Sequence, residues 1–135
     1  MADEAVIIEL LGNKGDPVSF TVADGTAIIK GEIMTMTDPR TAIKSTSAGD
    51  IVAGIAAQDK VASDGQTQLA LYTNAIFDLT ITSGGTTTLG TYVRTGGTAN
   101  QITVASTLDH ETGKTVGKSW ETGGNSEVIA VRVLL

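Results

Sequence analysis

The chain alternates between apolar and polar positions over short runs. "PVSFTV" (17–22) alternates, "TQLALYT" (67–73) sets Leu69 and Leu71 on one face, and "AIFDLTI" (75–81) sets Phe77, Leu79 and Ile81 against Ile76, Asp78 and Thr80. Successive side chains of a strand point to opposite faces, so a period of two predicts half-buried strands. "TAIIKGEIMTM" (26–36) reads as strand on both sides of Gly31, and "LGTYVRT", "QITVAS" and "SEVIAVRV" extend the series. Turn signals separate the runs: Asn13-Lys14-Gly15-Asp16, Asp24-Gly25, Asp38-Pro39, Asp64-Gly65, Ser83-Gly84-Gly85, Gly96-Gly97 and Gly123-Gly124-Asn125. This texture predicts an all-β fold, a small single-domain β-barrel or β-sandwich. No window predicts a long amphipathic helix. "ADEAVIIELL" could form a short one, but Val6-Ile7-Ile8 is β-branched and a glycine turn follows, which favours an extended N-terminal arm over residues 1–16.

One run breaks the pattern. "AGDIVAGIAAQDK" (48–60) carries Gly54 in mid-strand, where glycine costs stability. Gly54-Ile55-Ala56-Ala57-Gln58 and Gly117-Lys118-Ser119-Trp120-Glu121 share one form: Gly, any, small, any, Gln or Glu. Each is preceded by a glycine-led strand and a long loop. Each is followed by a turn and an alternating strand. The order occurs twice, which predicts a degenerate internal duplication, with a first β-unit at 26–82 and a second at 86–135. Gly54 with Ala56, and Gly117 with Ser119, clear one face of each strand for a close crossing by a neighbouring backbone or a barrel corner. Trp120 follows as core or as an anchor between subunits.

Composition narrows the function. Of 135 residues, 41% are apolar but only 4% aromatic, so the core must come from Val, Ile, Leu and Ala. A core so poor in rings favours oligomerisation. The net charge is −6, and six Lys and three Arg are scattered singly, which disfavours direct nucleic-acid binding and anionic membranes. No cysteine is present, so thiol chemistry and disulfides are excluded. The N-terminal apolar run is too short for a signal peptide, and no stretch has the length of a membrane span. "LDHETGKT" (108–115) ends like a phosphate-binding loop, but Leu108 stands where that motif needs glycine. Asp109, His110 and Glu111 are sequence neighbours, which rarely converge on one metal or one proton, and His110 reads as a solvated loop residue. Asp24, Asp38, Asp50, Asp59 and Asp64 read as turn-shaping, with a weak calcium site between loops as the alternative. Arg94 and Arg132 should point outward or across a subunit contact. No catalytic, cofactor-binding or metal constellation is expected.

"ADGTAIIKGEIMTMTDPRTA", "AGDIVAGIAAQDKVASDGQTQLALYTNAIFDL", "LGTYV" with "TANQITVAS", and "TVGKSWETGGNSEVIAVRVLL" together resemble the capsid cement or head decoration proteins of tailed viruses, the lambda-type head-stabilising proteins and their relatives. The resemblance runs from about Asp16 to the C-terminus. It implies a β-tulip-like, non-enzymatic structural virion protein of a bacteriophage, made in the host cytoplasm. Such a homotrimer binds the major capsid protein outside an icosahedral shell, at threefold and quasi-threefold positions. It also implies an arm that adds a strand to the capsid protein's sheet; here the candidate is Ala5, Val6, Ile7, Ile8, Glu9 and Leu10, which could equally be the first barrel strand. Two other classes fit the composition. One is a structural or adhesive module of a tail, fibre or cell surface. The other is a ligand-binding or hydrolytic barrel in which Asp109 or His110 meets a substrate.

Overall fold

The computed structural model describes residues 15–97 and 100–135. The first five strands, β1 (Val18–Thr21), β2 (Ile33–Asp38), β3 (Thr41–Lys44), β4 (Val52–Ala56) and β5 (Gln68–Tyr72), close into a barrel in the order β1-β3-β2-β4-β5. A second barrel follows, built from β6 (Asn74–Ile81), β8 (Tyr92–Thr95), β9 (Gln101–Val104), β10 (Thr115–Ser119) and β12 (Val128–Leu134). Two short strands, β7 (Thr86–Thr87) and β11 (Gly123–Gly124), pair beside it, and a single helix turn, α1 (Thr107–Glu111), precedes β10.

The barrels have one topology. β1 runs parallel to β3 and antiparallel to β5, as β6 runs parallel to β9 and antiparallel to β12. β2 pairs with β3 and β4, as β8 pairs with β9 and β10. Both β4 and β10 carry a bulge before the glycine: Gly54 opposes Met34 while Val52 opposes Thr35, and Gly117 opposes Val93 while Thr115 opposes Arg94. Details of the turns also recur. Gly31 (φ +93°) donates to the Ala56 carbonyl, and Gly90 (φ +87°) to that of Ser119. The Lys30 amide donates to the Asp59 carboxylate at 2.7 Å, and the Leu89 amide to the Thr122 hydroxyl at 2.9 Å. These matches establish the duplication at the level of backbone and register.

The unit limits differ from the sequence reading. β1 lies before residue 26 yet belongs to the first barrel, and residues 75–81 belong to the second, because β6 is registered with β12 from Asn74 to Thr80. The strand expected on both sides of Gly31 exists only after it. The left-handed φ of Gly31 turns the chain, and Ile28 makes only an isolated bridge to Lys60. β3 and α1 lie in segments read as loops. Residues 1–14, including the candidate arm Ala5–Leu10, lie outside the described residues.

Gly54 and Gly117 are the crossing points. A Cβ on Gly54 would stand 2.8 Å from the Tyr72 carbonyl oxygen and 3.0 Å from Leu71 Cβ. A Cβ on Gly117 would strike the Arg132 carbonyl oxygen and stand 2.8 Å from that carbonyl carbon. Tyr72 and Arg132 hold the same place, since Ile55 opposes one and Lys118 the other. The next strand's backbone therefore occupies the space of the missing side chain, as the Gly-x-small pattern predicts.

Phe20, Val22, Met34, Ala42, Leu69 and Leu71 fill the first barrel, and Leu79, Ile81, Val93, Ile102, Ile129 and Val131 take the matching places in the second. The exception is one pair. Ile28 and Ala56 of the first barrel become Thr87 and Ser119, whose buried hydroxyls bond at 2.9 Å. Ser119 Oγ also donates to the Glu121 carbonyl.

Two outcomes follow for urea unfolding. Gly54→Ala should cost about 1–3 kcal/mol, and Gly117→Ala more, because its Cβ meets three backbone atoms. Thr87→Val and Ser119→Ala should each cost about 1 kcal/mol by removing the hydrogen bond between the two buried hydroxyls, since each hydroxyl that remains still reaches the Glu121 carbonyl. The double variant should cost clearly less than their sum; strict additivity would show that the two hydroxyls do not act as a pair.

Candidate interaction surface

Alternation along β2, β4 and β5 sends Met34, Ala56 and Leu71 inward and Ile33, Ile55 and Tyr72 outward. These three outward side chains form one cross-strand row, with Ile33 opposite Ile55 and Ile55 opposite Tyr72. The second barrel covers the row. Ile33, Val52 and Ile55 are buried in one cluster with the second barrel's core, and the Tyr72 ring packs on Phe77 at 5.9 Å. Hydrogen bonds fix the seat: Ile33 N–H to Asn100 Oδ1 at 2.9 Å, Val52 N–H to the Gly113 carbonyl at 3.3 Å, and Gly49 N–H to the Thr95 carbonyl at 3.1 Å.

The loop between β3 and β4 latches this junction. Ala48 bridges Gly96, the Asp50 amide donates to Thr95 Oγ1, and Thr95 Oγ1 donates to the Ser47 carbonyl. Burial opposes charge on Asp50, but the Ser45 hydroxyl and the Ser47 and Thr46 amides outweigh it and hold the carboxyl below its usual value. Arg94 reaches Asp109 Oδ2 at 3.4 Å beside this loop, so it is spent within the chain rather than pointing outward. The Ser106 amide, the Ser106 hydroxyl and Arg94 lower the Asp109 carboxyl against the effect of burial, and Asp109 closes a capping box at the start of α1.

The second barrel repeats the row as Tyr92, Lys118 and Arg132, in the same register, and here it is not covered by the other barrel; only His110 of α1 lies against it. Tyr92 is 41% exposed, and Ile76 and Leu134 at the row's end are more so. His110 stacks on Tyr92 with centroids 4.0 Å apart, and a groove of about 250 Å³ runs between His110, Lys118, Arg132 and Leu134. Arg132 is held in place by donating to the Ala75 and Val133 carbonyls. Trp120 flanks this face at 48% exposure, so it is not core; the residue in its place in the first barrel is Ala57.

The residues singled out as chemical decoys do not converge. Asp109 is taken up by Ser106 and Arg94, while His110 lies against Tyr92 with Nδ1 3.4 Å from Thr115 Oγ1. Gly113-Lys114-Thr115 joins a helix to a strand, the reverse of the order a phosphate loop needs. Among the described residues, no three His, Cys, Asp or Glu side chains are grouped to hold a metal ion.

Asp24, Asp59 and Asp64 accept from the Gly65, Lys30 and Gln66 amides, as turn residues do. Sequence reasoning missed that two of them also hold Lys60, whose side chain is buried. Its Nζ donates to the Asp24 carbonyl at 2.6 Å and lies 3.1 Å from Asp64 Oδ1. The Gln66 amide, with Lys60, keeps the Asp64 carboxyl low.

No protein-family model matches the chain, and no curated protein matches it.

Asp50, Asp64 and Asp109 are all more acidic when folded, so each favours the folded state above the unfolded value of about pH 4 and loses that contribution as pH falls through its lower folded value. Unfolding free energy should therefore be level near neutrality and fall below about pH 4. Asp50→Asn should lower it at neutral pH by about 1 kcal/mol and flatten the acid fall. An acid profile unchanged by Asp50→Asn would contradict this role.

Proposed function

We propose that this chain is a structural virion protein that binds the outer surface of an icosahedral capsid at threefold and quasi-threefold positions and stabilises the shell. The observation that carries the reading is what the duplication keeps. The shared residues shape backbone: the crossing glycines, the left-handed Gly31 and Gly90, and the amide caps Asp59 and Thr122. The outer faces differ, Ile33-Ile55-Tyr72 against Tyr92-Lys118-Arg132. A repeat that preserves shape and varies surface suits a clamp between subunits. The resemblance to head decoration proteins spans both barrels and points the same way.

The partners in this reading are the major capsid protein and further copies of the chain, as a homotrimer; the protein uses no cofactor and catalyses no reaction. Ala5–Leu10 adds a strand to the capsid protein's sheet, where main-chain hydrogen bonds supply affinity. A symmetric trimer multiplies a weak contact through effective concentration, and its symmetry matches its site.

The test is sedimentation with expanded heads built from the capsid protein of the same virus. The chain should pellet with them saturably and raise the temperature at which they rupture. Val6→Asp with Ile8→Asp should weaken binding at least about tenfold, about 1.4 kcal/mol. A folded chain that stays in the supernatant with expanded heads overturns the reading.

A further inference from the structure

The described chain begins at Gly15, at the seam where β5 ends and β6 begins. A Cβ on Gly15 would lie 3.6 Å from the Asn74 carbonyl oxygen. With Asn74, Ala75, Ile76 and Arg132, Gly15 lines a groove of about 370 Å³. Residues 1–14 therefore join the molecule at one end of the outer face formed by β6, β12 and β10.

That face exposes apolar side chains. Ile76 on β6 and Val128 and Leu134 on β12 point outward and are each more than half exposed. Trp120, the chain's one tryptophan, follows β10 beside them and donates its amide to the Ala130 carbonyl. Such a cluster marks a contact surface.

The face also inverts the chain's balance of charge. The chain has 15 acids against nine bases, yet the outward positions of these strands carry Lys118 and Arg132 against Asp78 alone. Lys118 lies directly opposite Arg132, and like charges so placed repel. Among the described residues neither has a carboxylate partner. Arg132 donates to two carbonyls, and the ion pairs belong to other bases.

"DEAVIIELL" (3–11) complements the face on both counts, with Val6, Ile7, Ile8, Leu10 and Leu11 beside Asp3, Glu4 and Glu9. Its reach fits as well. Leu11 is four residues from Gly15 and Glu4 eleven, extended spans of at most ~14 Å and ~40 Å. The face runs ~20 Å from Asn74 to Thr80. So short a tether holds the segment over the face at roughly millimolar effective concentration, which a separate partner would have to exceed.

We propose that residues 3–11 dock on the outer face of their own chain's second barrel, their aliphatic side chains covering Ile76, Leu134 and Trp120 and their carboxylates meeting Lys118 and Arg132. The inference goes beyond the proposed function and does not rest on it. Ala5–Leu10 is also the stretch assigned there to the capsid, so face and capsid compete for it, and the face holds it in the free chain.

The experiment is carbodiimide coupling of the full chain without capsids, which joins a carboxylate to an amine where the two already touch. An amide should form between Lys118 and Asp3, Glu4 or Glu9, in material of single-chain mass after denaturation. Val6→Ser, Ile7→Ser and Ile8→Ser together remove the apolar contact and leave every charge in place. That variant should form the link at least about tenfold less, the equivalent of about 1.4 kcal/mol. Its Trp120 emission should move to longer wavelength, and a retained cooperative unfolding transition checks the barrels. Links from those acids only to other lysines, links only between two chains, or a Trp120 emission that the variant leaves unmoved overturns the inference. Links between chains would make a second copy the occupant. Failure to bind heads by a chain that passes this test would count against the proposed function alone.

Discussion

The structure depends on a backbone crossing with no room for a side chain. Five strands close a barrel of small radius, and at one place in each the strand after the bulge lies almost against the carbonyl of the next. Gly54 under Tyr72 and Gly117 under Arg132 make that approach possible. The bulge before each glycine adds the bend that turns β4 and β10 from one neighbour to the other. The rest of each barrel follows from it: a tight interior, small residues at Ala56 and Ser119, and aliphatic filling in place of rings.

Around that constraint the barrels have diverged where the physics tolerates it. An apolar pair, Ile28 with Ala56, is replaced by a hydrogen-bonded one, Thr87 with Ser119, which keeps the space filled and satisfies both hydroxyls. Lys60 stops one end of the first barrel with a buried ammonium ringed by the Asp24 carbonyl and Asp64. At the matching place Gly123 lets Ile129 and Ile81 close in, within 3.0 Å of where its Cβ would be. Both solutions satisfy their polar groups, so neither leaves a reactive one. The carboxylates Asp50, Asp64 and Asp109 are likewise committed to amides and cations of the fold.

The two barrels also differ in their outer faces. The same cross-strand row is covered by the other barrel as Ile33-Ile55-Tyr72 and lies outside the junction as Tyr92-Lys118-Arg132, and its chemistry changes accordingly, from two aliphatic residues and a tyrosine to a tyrosine and two cations. A face covered by the other barrel can be mostly apolar. A face left outside the junction must tolerate water, which the long stems and charged heads of Lys118 and Arg132 allow.

The order of residues by itself determined the β class, most strands, the turn aspartates and the doubled Gly-x-small unit, because these rest on period-two patterning and on the stereochemistry of glycine and aspartate, which are local. It did not determine where one unit ends, since residues 75–81 alternate equally well in either barrel and only pairing with β12 assigns them. Trp120 read as core or as an anchor between subunits; tertiary structure places it outside, just past the inward-facing Ser119 at the end of β10, and so removes the first of the two. Nor could spacing reveal that Lys60 is buried or that Arg94 meets Asp109, because those depend on chain segments brought together across the barrels' ends. Local patterning decides which way a side chain faces along its own strand, and only the closed barrels and their junction decide what it meets there.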